Sequence, residues 1–90
     1  MPESLDSKRK RLLFHCTHMG MKENDVMFGD FAKDHLAAMT DAEVEELEAL
    51  LQNSDLDLFK WVLGKAPVPA EWDTPLMKRL QDYNIGVENP

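Results

Sequence analysis

The chain predicts an all-α fold, a single compact bundle of five short helices, and three observations carry that expectation. Apolar residues recur at spacings of three and four along most of the 90 residues. Helix-capping residues stand at the breaks between those stretches. No run alternates apolar and polar residues as a half-buried strand would. A chain of this length builds one domain, here 1–90, with a radius of gyration of roughly 12 Å. Its helical core is expected at about residues 6–84, with frayed ends.

The first helix is expected from Leu5 or Asp6 to Met19, because Leu12, Cys16 and Met19 fall on one face. Gly20 follows as a left-handed residue just past the helix end. Glu23 and Asp25 stand near the start of a second helix, where negative charge opposes the positive dipole end. That helix reads Val26 to Met39, with Phe28, Ala32, Leu36 and Met39 along one row. Gly29 inside it costs about 1 kcal/mol relative to alanine, which points to a close helix crossing. Thr40 and Glu43 form a capping box opening a third helix, whose apolar stripe is Val44, Leu47, Leu50 and Leu51. Glu45, Glu46 and Glu48 face water in this reading.

Asn53-Ser54-Asp55 supplies N-caps for a fourth helix, roughly Asp55 to Leu63, stopped by Gly64. Trp61 reads as a packing residue. Pro67 and Pro69 make residues 65–74 an extended linker, pinned by Trp72. Thr74-Pro75 then opens the last helix, with proline at the tolerated first position. Leu76, Met77, Leu80 and Tyr83 cover its inner face, and residues 84–90 fray.

Composition narrows the function. At 43% hydrophobic and 30% charged the chain is ordinary globular material, and nothing in it approaches the about 20 apolar residues of a membrane span. One cysteine makes no internal disulfide, so a reducing compartment is expected, and the lack of a targeting pattern points to the cytoplasm. The net charge of −7 argues against nucleic acid as a partner. That charge is polarised. Residues 1–22 carry five basic groups against two acidic ones, whereas residues 23–57 carry eleven acids and only Lys33. Such a field orients a protein partner even where contact energies are small.

No constellation of catalytic residues is visible. His15, Cys16 and His18 lie close together but lack the third or fourth ligand that zinc requires. Cys16 lies on the apolar face of its helix, as a buried and inert thiol does. The run Lys8–Arg11 has no interleaved aromatics and reads as a solvated helix end or a minor contact with an acidic protein. What stands out is the joint between the first two helices, His18-Met19-Gly20-Met21-Lys22-Glu23-Asn24-Asp25.

With that joint, the order of motifs resembles a known family. The elements are Arg9-Lys10-Arg11-Leu12-Leu13, Gly20-x-x-Glu23-x-Asp25, Phe31-Ala32-Lys33-Asp34-His35-Leu36, Met39-Thr40, Asp57-Leu58-Phe59-x-Trp61 and Lys65-Ala66-Pro67-x-Pro69. From about Lys8 to Tyr83 the chain is similar to the small five-helix assembly factors that promote covalent flavin attachment in succinate dehydrogenase and fumarate reductase flavoproteins (SdhE-like). The family hallmark is Arg-Gly-x-x-Glu; Gly20 and Glu23 match it, and Met19 stands at the arginine position. The resemblance implies a partner-binding surface at Met19, Gly20, Glu23 and Asp25, with the flavoprotein subunit as partner. It implies that a histidine of that subunit attacks bound FAD, so that FAD belongs to the partner, no cofactor is tightly held here, and the chain is not an enzyme. A free monomer is expected. Two readings from other classes stand beside it: a regulatory or antitoxin-like adaptor on the same fold, and a small metal or thiol enzyme built on His15, Cys16 and His18.

Overall fold

Ser4 caps the first helix, its hydroxyl accepting the Ser7 N–H at 3.1 Å. In a computed structural model that describes residues 4–86, this helix, α1, spans Leu5–Thr17. It is followed by α2 (Lys22–His35), a 3-10 turn (Leu36–Ala38), α3 (Asp41–Leu50) and α4 (Asp55–Val62). A loop containing a second 3-10 turn (Ala70–Trp72) leads to α5 (Pro75–Gln81), which runs on into a π turn (Asp82–Gly86). All the described regular structure is helical, as the sequence predicts.

The caps fall where sequence chemistry puts them. Thr40 and Glu43 form the full reciprocal capping box, with the Glu43 carboxylate accepting the Thr40 N–H at 2.9 Å. That hydrogen bond, and then Arg79 beside it, hold the Glu43 carboxyl below the usual carboxylate range. Ser54 caps α4 and Thr74 caps α5, with Pro75 at its first position. Gly64 takes φ +70°, a left-handed conformation that glycine adopts without Cβ strain, and it stops α4.

Helix α2 is the centre of the bundle, packing against α1, α4 and α5. Leu12, Cys16 and Met19 meet Phe28, Phe31 and Ala32 in one buried cluster with Val44, Leu47, Leu50, Leu58, Val62, Leu76, Met77 and Leu80. Burying a side chain of this size contributes about 1.5–3 kcal/mol each. Trp61 joins the cluster, and Trp72 packs against its edge and pins the proline loop. The α1–α2 crossing is tight at Gly29, where an added Cβ would stand 3.1 Å from Thr17 Cγ2 and 3.2 Å from the Cys16 carbonyl oxygen. The glycine inside the second helix therefore has the reason the sequence suggests.

Several expectations need correction. The first helix ends at Thr17, two residues before Met19: the Thr17 hydroxyl donates to the Leu13 or Phe14 carbonyl and His18 leaves helical geometry at φ −136°. Gly20 is not left-handed, since the positive φ belongs to Gly64. The second helix starts at Lys22 instead of Val26, which brings Glu23 and Asp25 into its first turn. It ends at His35, because Arg9 reaches across and donates to the Leu36 carbonyl at 3.2 Å and to the Met39 carbonyl at 2.5 Å. Those bonds satisfy carbonyls that a continuing α-helix would have used, and Met39 turns extended.

The basic run is not simply solvated. Lys8 and Arg11 both pair with Glu48 of α3, at 3.3 Å and 2.5 Å, so Glu48 does not merely face water. Hydrogen bonds from Arg11 and then Lys8 hold its carboxyl below the usual range. Tyr83 covers the inner face only in part: its ring meets buried Phe31 edge-on at 5.5 Å, but the residue is 38% exposed, and its hydroxyl donates to the Asp34 carboxylate or the Asp30 carbonyl. Residues 84–86 continue the π turn where fraying was expected. Residues 87–90, also expected to fray, lie outside the described residues.

Candidate functional site

The joint of residues 18–21 is short, and its backbone is held by side chains from two other places. The Met19 N–H donates to the Asp25 carboxylate, in the first turn of α2. The Gly20 N–H donates to Asp55 Oδ2 at 2.5 Å, across to the start of α4. Asn24 completes the arrangement, its Nδ2 donating to the Asp55 carbonyl at 2.8 Å. Asn24 is fully buried, and its Oδ1 has no hydrogen-bond partner. A Cβ at position 20 would meet the Asp55 carboxylate, the end of a side chain that can swing aside, so a substitution here displaces the Asp55 bond to Gly20 instead of striking backbone.

This lattice sorts the expected site residues into two groups. Gly20 and Glu23 are exposed at the surface of the joint, and Asp25 is half-buried by its bond to Met19. Met19 points the other way: the whole residue is only 8% exposed and belongs to the core. Met27 is equally buried, so of the three methionines grouped around the joint only Met21 is partly exposed.

Beside the joint lies an open groove of about 420 Å³, lined by Lys22, Glu23, Val26, Met27, Phe59 and Leu63. Glu23 and Lys22 put opposite charges on its edge, and Val26, 57% exposed, stands on the α2 side. Phe59 and Leu63, which sequence spacing reads as a helical pair, are only partly buried and form the α4 wall. On α1, Phe14 is 64% exposed and stacks on His18 with ring centroids 4.1 Å apart.

The remaining candidates for chemistry are occupied elsewhere. Burial raises the Cys16 thiol to about 12, so it carries no thiolate near neutral pH. His18 Nδ1 lies 2.9 Å from the Phe14 carbonyl, and His35 packs against Phe31 and Tyr83. Among the described residues, no group of three His, Cys, Asp or Glu side chains is placed to hold a metal ion. Nor is any described helix long and apolar enough to cross a membrane.

Two residues that organise the joint escape sequence reasoning. Asp55 reads as one of three N-cap candidates for the fourth helix, and only the tertiary fold brings it to Gly20. Asn24 carries a weak signal: a poor helix former placed between two acids that the dipole explains.

Residues 10–84, which include every residue of the joint and the groove, match the family described as flavinator of succinate dehydrogenase. A mitochondrial succinate dehydrogenase assembly factor 2 from Candida glabrata is 38% identical over 96% of this chain and 59% of its own length. Its counterpart in Dictyostelium discoideum is 37% identical over 88% of this chain and 56% of its own. The FAD assembly factor SdhE of Acetobacter pasteurianus is 33% identical over 87% of this chain and 72% of its own. The chain thus spans under two thirds of the two mitochondrial relatives and most of the bacterial one. With five helices in the expected order, an exposed Gly20-x-x-Glu23 joint and a match over residues 10–84, this chain belongs to the flavinator of succinate dehydrogenase family.

Proposed function

We propose that this protein is an assembly factor that binds the flavoprotein subunit of succinate dehydrogenase or fumarate reductase and promotes covalent attachment of its FAD. The observation that carries the proposal is the pairing of exposure with rigidity at one place. Gly20 and Glu23 face solvent on a backbone fixed by Asp25, Asp55 and Asn24. A surface of that kind binds one conformation of a client better than its alternatives, which is what shifts a population. A tenfold preference corresponds to about 1.4 kcal/mol.

In this reading the reacting atoms belong to the client: its histidine and its FAD. The factor contributes no general acid, base or nucleophile, consistent with the buried, protonated Cys16 thiol. Its contribution is orientation. Holding a nucleophile at near-attack distance supplies several kcal/mol, because the entropy of alignment has already been lost on binding. Glu23 supplies a charged contact, Asp25 sets the joint's shape through the Met19 N–H, Gly20 leaves the exposed turn without a side chain, and Met19 anchors the joint to the core. The compartment in this reading is the cytoplasm, on the sequence expectation alone, while the Candida and Dictyostelium relatives are named as mitochondrial.

The test is expression of the flavoprotein subunit with and without this protein, followed by denaturation and measurement of flavin fluorescence on the polypeptide. More covalent flavin with the factor present supports the proposal, and equal amounts refute it.

A further inference from the structure

The far end of the α1–α2 hairpin carries a second cleft, of about 170 Å³, which shares no residue with the joint or its groove. Its floor is apolar: Leu13 from α1, Ala32 and Leu36 from α2 and the following turn, and Ala37 at the mouth. Its rim is cationic, formed by Arg9, Lys10 and Lys33. These cations differ from their neighbours in what they already touch. Lys8 and Arg11 are paired with Glu48, and Arg9 is committed to the Leu36 and Met39 carbonyls. Lys10 and Lys33 are exposed and lack a carboxylate partner among the described residues.

This placement runs against the charge of the whole chain. Lys33 is the one basic residue in a stretch with eleven acids, and the fold sets it beside Lys10 over an apolar floor. A bare inorganic anion would leave that floor uncovered, and a neutral apolar side chain would leave both lysines unpaired. A segment offering both an apolar side chain and flanking carboxylates satisfies the two halves together.

We propose that the Lys10–Lys33 cleft is a second docking point, which receives an acidic peptide segment of the client carrying one aliphatic or aromatic side chain. This inference rests on the assembly-factor reading for the identity of the client, but its chemistry is defined by the cleft alone. The site lies roughly 10 Å along α1 from the start of the joint, counting the rise from Lys10 to Thr17. Two contacts at that separation fix the client's orientation where one would leave it free to swivel, and they add their affinities intramolecularly.

The test has two arms. In the first, isotopically labelled protein is titrated with the peptides acetyl-Gly-Asp-Phe-Asp-Gly and acetyl-Gly-Lys-Phe-Lys-Gly, and with inorganic phosphate, while amide shifts are followed. Shifts at Leu13, Lys33 and Ala37 with the acidic peptide alone are expected. Equal shifts with the basic peptide, shifts with phosphate alone, or none at these residues overturn the proposal. In the second arm, the double variant Lys10→Glu with Lys33→Glu is compared with the milder Lys10→Gln with Lys33→Gln for retention of the flavoprotein subunit. Both variants alter exposed side chains, and their melting temperatures are measured to show that they fold. Charge reversal is expected to weaken retention about tenfold or more at low salt, with a smaller effect at high salt, and the glutamine pair to fall between. Unchanged retention by the reversed variant, when Glu23→Ala abolishes it, refutes the second docking point and leaves the joint intact as the binding surface. If the unaltered protein retains no flavoprotein subunit, the assembly reading fails and the peptide arm still decides the chemistry of the cleft.

Discussion

Asp55 sits in the first turn of α4, 35 residues from the glycine whose N–H it accepts. Its carboxylate fixes Gly20, while its own carbonyl takes the Asn24 amide, so one residue links the joint to both neighbouring helix starts. Replacing it with alanine removes a charged acceptor but leaves the backbone bond to Asn24 in place. The expected cost is about 1 kcal/mol, the low end for such bonds because Gly20 is exposed. Amide hydrogen exchange at Gly20 in Asp55→Ala should speed up well beyond the global change in stability. Exchange that stays slow would mean the joint is rigid without Asp55. Glu23, by contrast, has an exposed side chain, and Glu23→Ala should change unfolding free energy by no more than about 0.5 kcal/mol in a urea melt. A larger loss would make Glu23 part of the framework.

Between elements, the tightest dependence is the crossing of α1 and α2 at Gly29. The Cys16 carbonyl oxygen is a backbone atom and cannot rotate out of the way of a new methyl group. Gly29→Ala should therefore destabilise by about 1–3 kcal/mol from overpacking, offset by roughly 1 kcal/mol of improved helix propensity. A net fall in melting temperature is the expected result, and a rise would show slack at the crossing. This crossing was legible in the sequence because a glycine inside a helical pattern needs a reason, and close approach is the commonest one. Capping boxes and apolar stripes were legible for similar reasons, since their chemistry lies within four residues. The ends of α1 and α2 were not. They are set by Thr17 bonding back to Leu13 or Phe14, and by Arg9 reaching the Leu36 and Met39 carbonyls from 27 and 30 residues away. The same limit hid Asp55, whose contact with the joint exists only after α4 has packed against α2.

Across the whole molecule, the acids that tie distant elements together make stability depend on pH at the low end. Glu48 holds α3 to α1 through Lys8 and Arg11, and Glu43 closes the α3 cap and meets Arg79 of α5 at 2.9 Å. Both carboxyls are held below their ordinary values in the folded chain. In acid the unfolded chain therefore takes up protons first, and the stability these groups contribute is present above about pH 4.3 and lost as pH falls through their lowered values. Melting temperature should be flat with pH above that range and drop below it, with a smaller drop in Glu48→Gln. An identical acid profile in that variant would assign the loss to other groups. The polarised charge of the chain is thus partly paired inside the fold, and the exposed acid at the joint and the lysine pair at the far end of the hairpin are among the charges left outside.

The most direct measurement of the central claim uses purified components: flavoprotein subunit lacking covalent flavin, free FAD, and either this protein or its Glu23→Ala variant. Flavin that stays on the polypeptide after denaturation is followed over time. The unaltered protein should accelerate attachment, and the folded Glu23→Ala variant should leave the rate near that of the subunit alone. Attachment at the same rate with and without the unaltered protein would contradict the account.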